Sequence, residues 1–104
     1  RVAKAKVMVV NPTHYAVALA YEPDGFGLPQ VVAKGVDDGA LELRAYAQNQ
    51  GIPIVANPPL ARALHEVDLG DAVPESLFET VAVVLRWVED LGRDNDERSG
   101  PLPC

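Results

Sequence analysis

Apolar residues recur along this chain with two periods, one of strands and one of helices. Val7-Met8-Val9-Val10 is an unbroken apolar run, as expected of a short strand buried on both faces. Residues 15–21, Tyr-Ala-Val-Ala-Leu-Ala-Tyr, form a second strand-like run. Only Asn11-Pro12-Thr13-His14 separates the two, which predicts an antiparallel hairpin. Residues 22–29 hold two Pro and two Gly and read as loop. Their Gly25-Phe26-Gly27 precedes no helix, so it is a turn and not a phosphate loop. Val31-Val32-Ala33 is a third strand ending at Lys34-Gly35.

Asp37 or Asp38 can cap a helix running to about Asn49, with Gly51 just past its end. Ala40, Leu43 and Ala47 give it an apolar face. Ile52-Pro53-Ile54-Val55 is a fourth strand, and Pro53 points to a sheet edge or a strand start. Strand, helix, strand in this order implies a right-handed parallel crossover. Asn57 caps a further helix opened by Pro58-Pro59, with Leu60, Ala61, Ala63 and Leu64 apolar, Arg62 exposed, and an end near Glu66. Residues 68–73 are a polar link. Pro74 starts the last helix, whose Leu77, Val81, Val84, Leu85, Val88 and Leu91 form one core-facing stripe. The fold class is α/β: a small mixed β-sheet of about four strands, a β-β hairpin then βαβ, packed with about three to four helices.

With 104 residues and 48% hydrophobic content, the chain suits one domain with a single core. No stretch approaches the roughly 18 consecutive apolar residues of a membrane span. The start at Arg1 without Met suggests a fragment, and no signal peptide opens it. Arg1, Lys4 and Lys6 give +3 up to Asn11, while the six basic and fifteen acidic residues that follow give −9. An acidic body argues against nucleic acid, whose binding depends on neutralising phosphates. The basic leader suits either a solvated arm or a juxtamembrane segment near anionic lipid. The division is then residues 1–6 as a basic linker, 7–91 as the domain, and 92–104 as a polar tail expected to be disordered. Cys104 is the only cysteine, so no internal disulfide forms, and the compartment is consistent with a reducing cytoplasm.

Candidate chemistry concentrates in the hairpin turn. Asn-Pro ordinarily marks a turn, because Pro sets φ near the value needed at the second turn position. The same dipeptide also permits backbone cleavage. Pro12 has no N–H, which closes the usual deamidation route through attack by the next residue's nitrogen. The Asn11 side-chain nitrogen can instead attack its own main-chain carbonyl, closing a succinimide and expelling Pro12. As first residue of a turn, Asn11 would offer that carbonyl to the His14 N–H, a small preformed oxyanion hole. The His14 imidazole is a plausible proton shuttle, and Thr13 a hydroxyl or backbone donor. An inert turn remains the alternative. His14 and His65 are the only histidines and no Cys or carboxylate cluster has ligand spacing, so neither a metal nor another cofactor is expected. His65 reads as a helix-end surface residue, and Trp87 as partial core.

Asn11-Pro12-Thr13-His14-Tyr15-Ala16-Val17-Ala18-Leu19, Val31-Val32-Ala33-Lys34-Gly35, Gly51-Ile52-Pro53-Ile54-Val55 and Asn57-Pro58-Pro59-Leu60-Ala61-Arg62-Ala63-Leu64 together resemble the cytoplasmic domain of the FlhB/YscU (SctU) family. That family is the export-switch subunit of type III secretion systems, and the likeness runs in order over residues 7–91. It implies autocleavage by Asn cyclisation, with Asn11 as nucleophile and cleavage residue, Pro12 as leaving residue, and Thr13 and His14 in support. It also implies that the two pieces stay associated, and that membrane helices precede a domain on the cytoplasmic face of the inner membrane. The implied role is a switch from early to late export substrates. Implied partners are a needle or hook length-ruler protein, the large export-gate subunit and secreted substrates, with Pro58, Pro59, Leu60, Ala61, Arg62 and Leu64 as candidate recognition surface. Val84-Leu85-Arg86-Trp87-Val88-Glu89 resembles injectisome more than flagellar members, so an injectisome is favoured and a flagellar homologue is the alternative. A turn that cuts once per chain is not a turnover enzyme. The reading from a different class is a non-cleaving α/β protein-binding module.

Overall fold

A computed structural model describes residues 4–12, 14–21 and 27–99, of which 93–99 as helix backbone only. The elements are β1 (Val7–Asn11), β2 (Tyr15–Ala20), β3 (Gln30–Val36), α1 (Asp38–Gln50), β4 (Ile54–Ala56), α2 (Pro58–His65), a 3-10 turn (Glu75–Leu77) and α3 (Phe78–Ser99). The sheet order is β3-β2-β1-β4. β1 and β2 form the expected antiparallel hairpin, closed by the Asn11 and Tyr15 pair. β4 lies parallel to β1 at the edge of the sheet, and β3 lies antiparallel to β2 at the other edge. The crossover from β3 through α1 to β4 is therefore parallel in direction, but it spans the two central strands and does not join neighbours. Pro53 stands just before β4, and its carbonyl accepts the Met8 N–H at 2.9 Å.

Side chains alternate across the sheet into two cores. Val7, Val9, Val17, Leu19 and Val31 face α2 and α3, where they meet Leu60, Leu64, Val81 and Leu85. Met8, Val10, Ala16 and Ala18 face α1, packing with Ala40, Ala47 and Ile52. Small residues dominate this second face, which brings α1 close to the sheet. The approach is tightest where a Cβ on Gly35 would meet Gly39 C and O at 2.6 Å.

Several boundaries differ from the sequence reading, each for a tertiary reason. β3 runs to Val36, past Lys34-Gly35, because β2 supplies partners up to the Tyr15 and Val36 pair. A register shift beside Ala18 and Leu19 lets Val31 join one core while Val32 and Ala33 pack on the other. The 68–73 link is not simply a surface loop: Ala72 bridges to Gln30, and Val73 is buried. Ala5 is also buried, and the Lys6 N–H donates to Leu19 O, so the fold takes in residues assigned to the basic linker. Pro74 opens a 3-10 turn before α3. The expected disordered tail from residue 92 is helix as far as Ser99, and residues 100–104 lie outside the described residues. In that stretch the sequence places Glu89 before Arg93 and Asp94 before Arg98, a four-residue spacing that supports a solvated helix.

Gly35→Ala tests the close contact between β3 and α1. The clashing atoms are backbone, so the substitution is expected to destabilise the domain by about 1–3 kcal/mol. Urea denaturation with an unchanged m-value would register this as a lower midpoint.

Candidate functional site

The hairpin turn is held from three sides. β1 delivers Asn11 to the end of the sheet, where its carbonyl accepts the His14 N–H at 3.1 Å. This is the hydrogen bond that characterises a closed four-residue turn beginning at Asn11. Pro12 is exposed and Asn11 partly buried, while Thr13 lies outside the described residues. On one flank, the Asn57 N–H donates to Val10 O at 2.9 Å, tying the start of α2 to the residue before Asn11. Asn57 caps α2 as expected, its Oδ1 accepting the Leu60 N–H at 3.2 Å.

α1 holds the other flank. The Asp37 N–H donates to His14 O at 2.9 Å, and the Asp37 carboxylate lies 3.3 Å from His14 Nδ1. Arg44 Nη1 donates to Pro12 O at 3.2 Å. Asp37 occupies the N-cap position of α1, yet its side chain makes no cap hydrogen bond. The carboxylate faces the imidazole instead. Sequence reasoning missed Asp37 and Arg44 as site residues, since nothing local links them to a turn more than 20 positions upstream.

Behind the turn, Tyr15 stacks on His65, ring centroids 4.6 Å apart. His65 is thus partly buried against β2 and not the free surface residue expected. Lys34 reaches under the end of α2, where its Nζ donates to His65 O at 3.0 Å and Val67 O at 2.8 Å. A cation here satisfies carbonyls that the helix leaves unpaired and complements its dipole.

The proposed recognition segment divides sharply. Leu60, Ala61 and Leu64 are core residues, at most 3% exposed, so they present no surface to a partner. Their spacing of one, three and four residues places them on the same helix face toward the sheet. Pro59 and Arg62 are exposed and Pro58 partly so, leaving these three as the accessible part. Farther along, Trp87 is 46% exposed, with Val83 and Val55 beside it in a groove of about 370 Å³ between β4 and α3. Among the described residues no group of three or more His, Cys, Asp or Glu is placed to hold a metal, and no helix is long and apolar enough to cross a membrane.

The sequence matches the FlhB HrpN YscU SpaS family over residues 1–88. The chain belongs to this family. It is 59% identical over 100 residues to the hypersensitivity response secretion protein HrcU of Ralstonia nicotianae, a match covering 96% of this chain and 28% of that protein. It is 47% identical over 88 residues to the flagellar biosynthetic protein FlhB of Bacillus subtilis, covering 84% of this chain and 24% of FlhB. The chain thus spans about a quarter of the length of the curated relatives it matches. Its fold is similar to the cytoplasmic domain of FlhB from Shewanella putrefaciens, with TM-score 0.85 and 45% identity over 98% of this chain and 80% of that one. A mutated EscU C-terminal domain superposes with TM-score 0.80 at 35% identity, covering 84% of this chain and 88% of that one. The small mixed sheet with its helices is therefore the C-terminal domain fold of a type III secretion and flagellar export family.

Lys34→Ala would leave the His65 and Val67 carbonyls without the ammonium. The expected cost is about 2 kcal/mol, the range for losing hydrogen bonds from a charged, part-buried donor. Thermal unfolding of the variant beside wild type measures it.

Proposed function

We propose that this chain is the self-cleaving cytoplasmic switch domain of a type III export-apparatus protein, and that it cuts itself between Asn11 and Pro12. The observation that supports this most is the Asn11 carbonyl, held at 3.1 Å by the His14 N–H in a turn whose second residue is Pro12. In the reaction, Asn11 Nδ2 attacks the Asn11 carbonyl carbon and loses a proton, and the carbonyl oxygen becomes an oxyanion. The His14 N–H is already aimed at that oxygen, so its stabilisation needs no reorganisation. The bond to the Pro12 nitrogen then breaks, that nitrogen gains the proton, and Asn11 ends as a C-terminal succinimide. Thr13 and His14 support the proton transfer. Each chain reacts once, without turnover.

Cleavage leaves β1 on the smaller piece. Its Val7, Met8, Val9 and Val10 are at most 1% exposed between β2 and β4. Burying side chains of this kind stabilises by about 1.5–3 kcal/mol each, and ladder hydrogen bonds to two neighbours add to that. The pieces therefore stay together, and what changes is the turn and the surface beside it. In the whole protein, membrane helices precede this domain at the cytoplasmic face of the bacterial inner membrane. The altered turn shifts export from early to late substrates, read by a length-ruler protein, the large export-gate subunit and the secreted substrates. Pro58, Pro59 and Arg62, next to the turn through Asn57, are the accessible residues for that reading. The higher identity to HrcU than to FlhB favours an injectisome over a flagellum.

Intact mass under denaturing conditions tests the cleavage. Wild type is expected to yield pieces 1–11 and 12–104, and Asn11→Ala a single species near 11.1 kDa. One uncut species from wild type after long incubation would return the turn to an inert role in a protein-binding module. Under native conditions the two pieces are expected to co-elute in size exclusion, and early release of piece 1–11 would contradict their retention through β1.

A further inference from the structure

Asp37 has the backbone of a glycine. Its φ of 51° and ψ of −114° make it the one non-glycine residue with positive φ among the described residues. That combination matches the first central position of a type II′ turn, which Gly dominates because a Cβ is strained there. Strain of this kind persists where the surroundings enforce it, and it collects at functional sites. Here two contacts depend on the conformation, and both go to His14. The Asp37 N–H donates to His14 O at 2.9 Å, while Oδ1 lies 3.3 Å from His14 Nδ1. The residue also starts α1, where its carbonyl accepts the Leu41 N–H at 3.1 Å. The helix is thereby a rigid mount for both contacts.

The pair contributes little to stability. The side chains of His14 and Asp37 are 62% and 69% exposed, and ion pairs or hydrogen bonds in water of this kind are weak. Its consequence is orientation. A carboxylate only accepts, so a hydrogen bond between the two would place the proton on Nδ1 and leave the lone pair on Nε2.

We propose that Asp37 is a positioning residue for the self-cleavage proposed above, acting through His14. The carboxylate fixes the ring and its tautomer, and Nε2, directly or through a water bound to it, takes the proton from Asn11 Nδ2 and returns it to the Pro12 nitrogen as the peptide bond breaks. No net proton is consumed.

Asp37→Gly separates these roles, since glycine adopts the observed φ and ψ freely. The first-order rate of appearance of piece 12–104 is expected to fall about tenfold, a modest share of what a positioned acid or base contributes, with the thermal midpoint equal to or above wild type. Asp37→Asn keeps a neutral acceptor and tolerates positive φ, and is expected to restore most of the rate. In uncut Asn11→Ala protein, imidazole 15N shifts should report Nδ1–H at His14 and move toward Nε2–H when Asp37→Gly is added. A wild-type rate in Asp37→Gly, or unchanged 15N shifts, would overturn the role of Asp37 while leaving self-cleavage standing. Absence of cleavage in wild type itself would instead overturn the function on which the role depends.

Discussion

Val7, Met8, Val9 and Val10 leave neither face of β1 in water, and its two edges are paired with β2 and β4. A strand so enclosed cannot be withdrawn without opening both cores and two ladders. Everything at the hairpin end inherits this constraint. Asn11 closes the last pair of β1 with β2, so the turn that follows starts from an immobile point and must reverse within four residues. The same burial means that the proposed backbone break at the turn would be compatible with one folded domain, since Asn11-Pro12 lies where the chain leaves the sheet, outside either core.

The two helices that flank the turn do so by different physics. α2 is anchored through its apolar face, with Leu60, Ala61 and Leu64 against the sheet, and through caps at both ends, Asn57 at its start and Lys34 below its finish. Its exposed residues are Pro59 and Arg62, with Pro58, Ala63 and His65 half-buried. α1 instead approaches through small residues, Ala40 and Ala47 over Ala16 and Ala18, with Gly35 and Gly39 nearly in backbone contact. Close approach lays α1 beside the turn, where Asp37 at its start and Arg44 in its middle reach His14 and Pro12 by polar contacts. Rigid packing on one side and directed hydrogen bonds on the other leave the turn positioned but exposed.

Membership of the FlhB/YscU family gives this arrangement a setting in protein export, while the chain covers only about a quarter of its relatives' length. The turn lies outside both cores, at the surface of the domain. The stacked Tyr15 and His65 rings connect the turn's first following residue to the end of α2. Both residues are packed and partly buried.

Much of the architecture was legible in the residues because it rests on local rules. The apolar run of 7–10, the four-residue turn, the Asn57 cap with Pro58-Pro59, and the stripe of the last helix each follow from short-range geometry or from periodicity. So did the Asn11 carbonyl accepting from His14, because a four-residue turn often closes with this hydrogen bond. Three things needed the tertiary structure. The extension of β3 to Val36 and the order β3-β2-β1-β4 depend on which strands supply partners, a non-local choice. The burial of Leu60, Ala61 and Leu64 depends on which face of α2 meets the sheet, so a segment that reads as a motif proves to be largely core. The meeting of Asp37 with His14 arises only when α1 is laid across the sheet, and its left-handed backbone has no signature in the residue itself, since Asp at a helix start ordinarily caps. Local chemistry placed the Asn11-Pro12 turn, and long-range packing chose the groups around it.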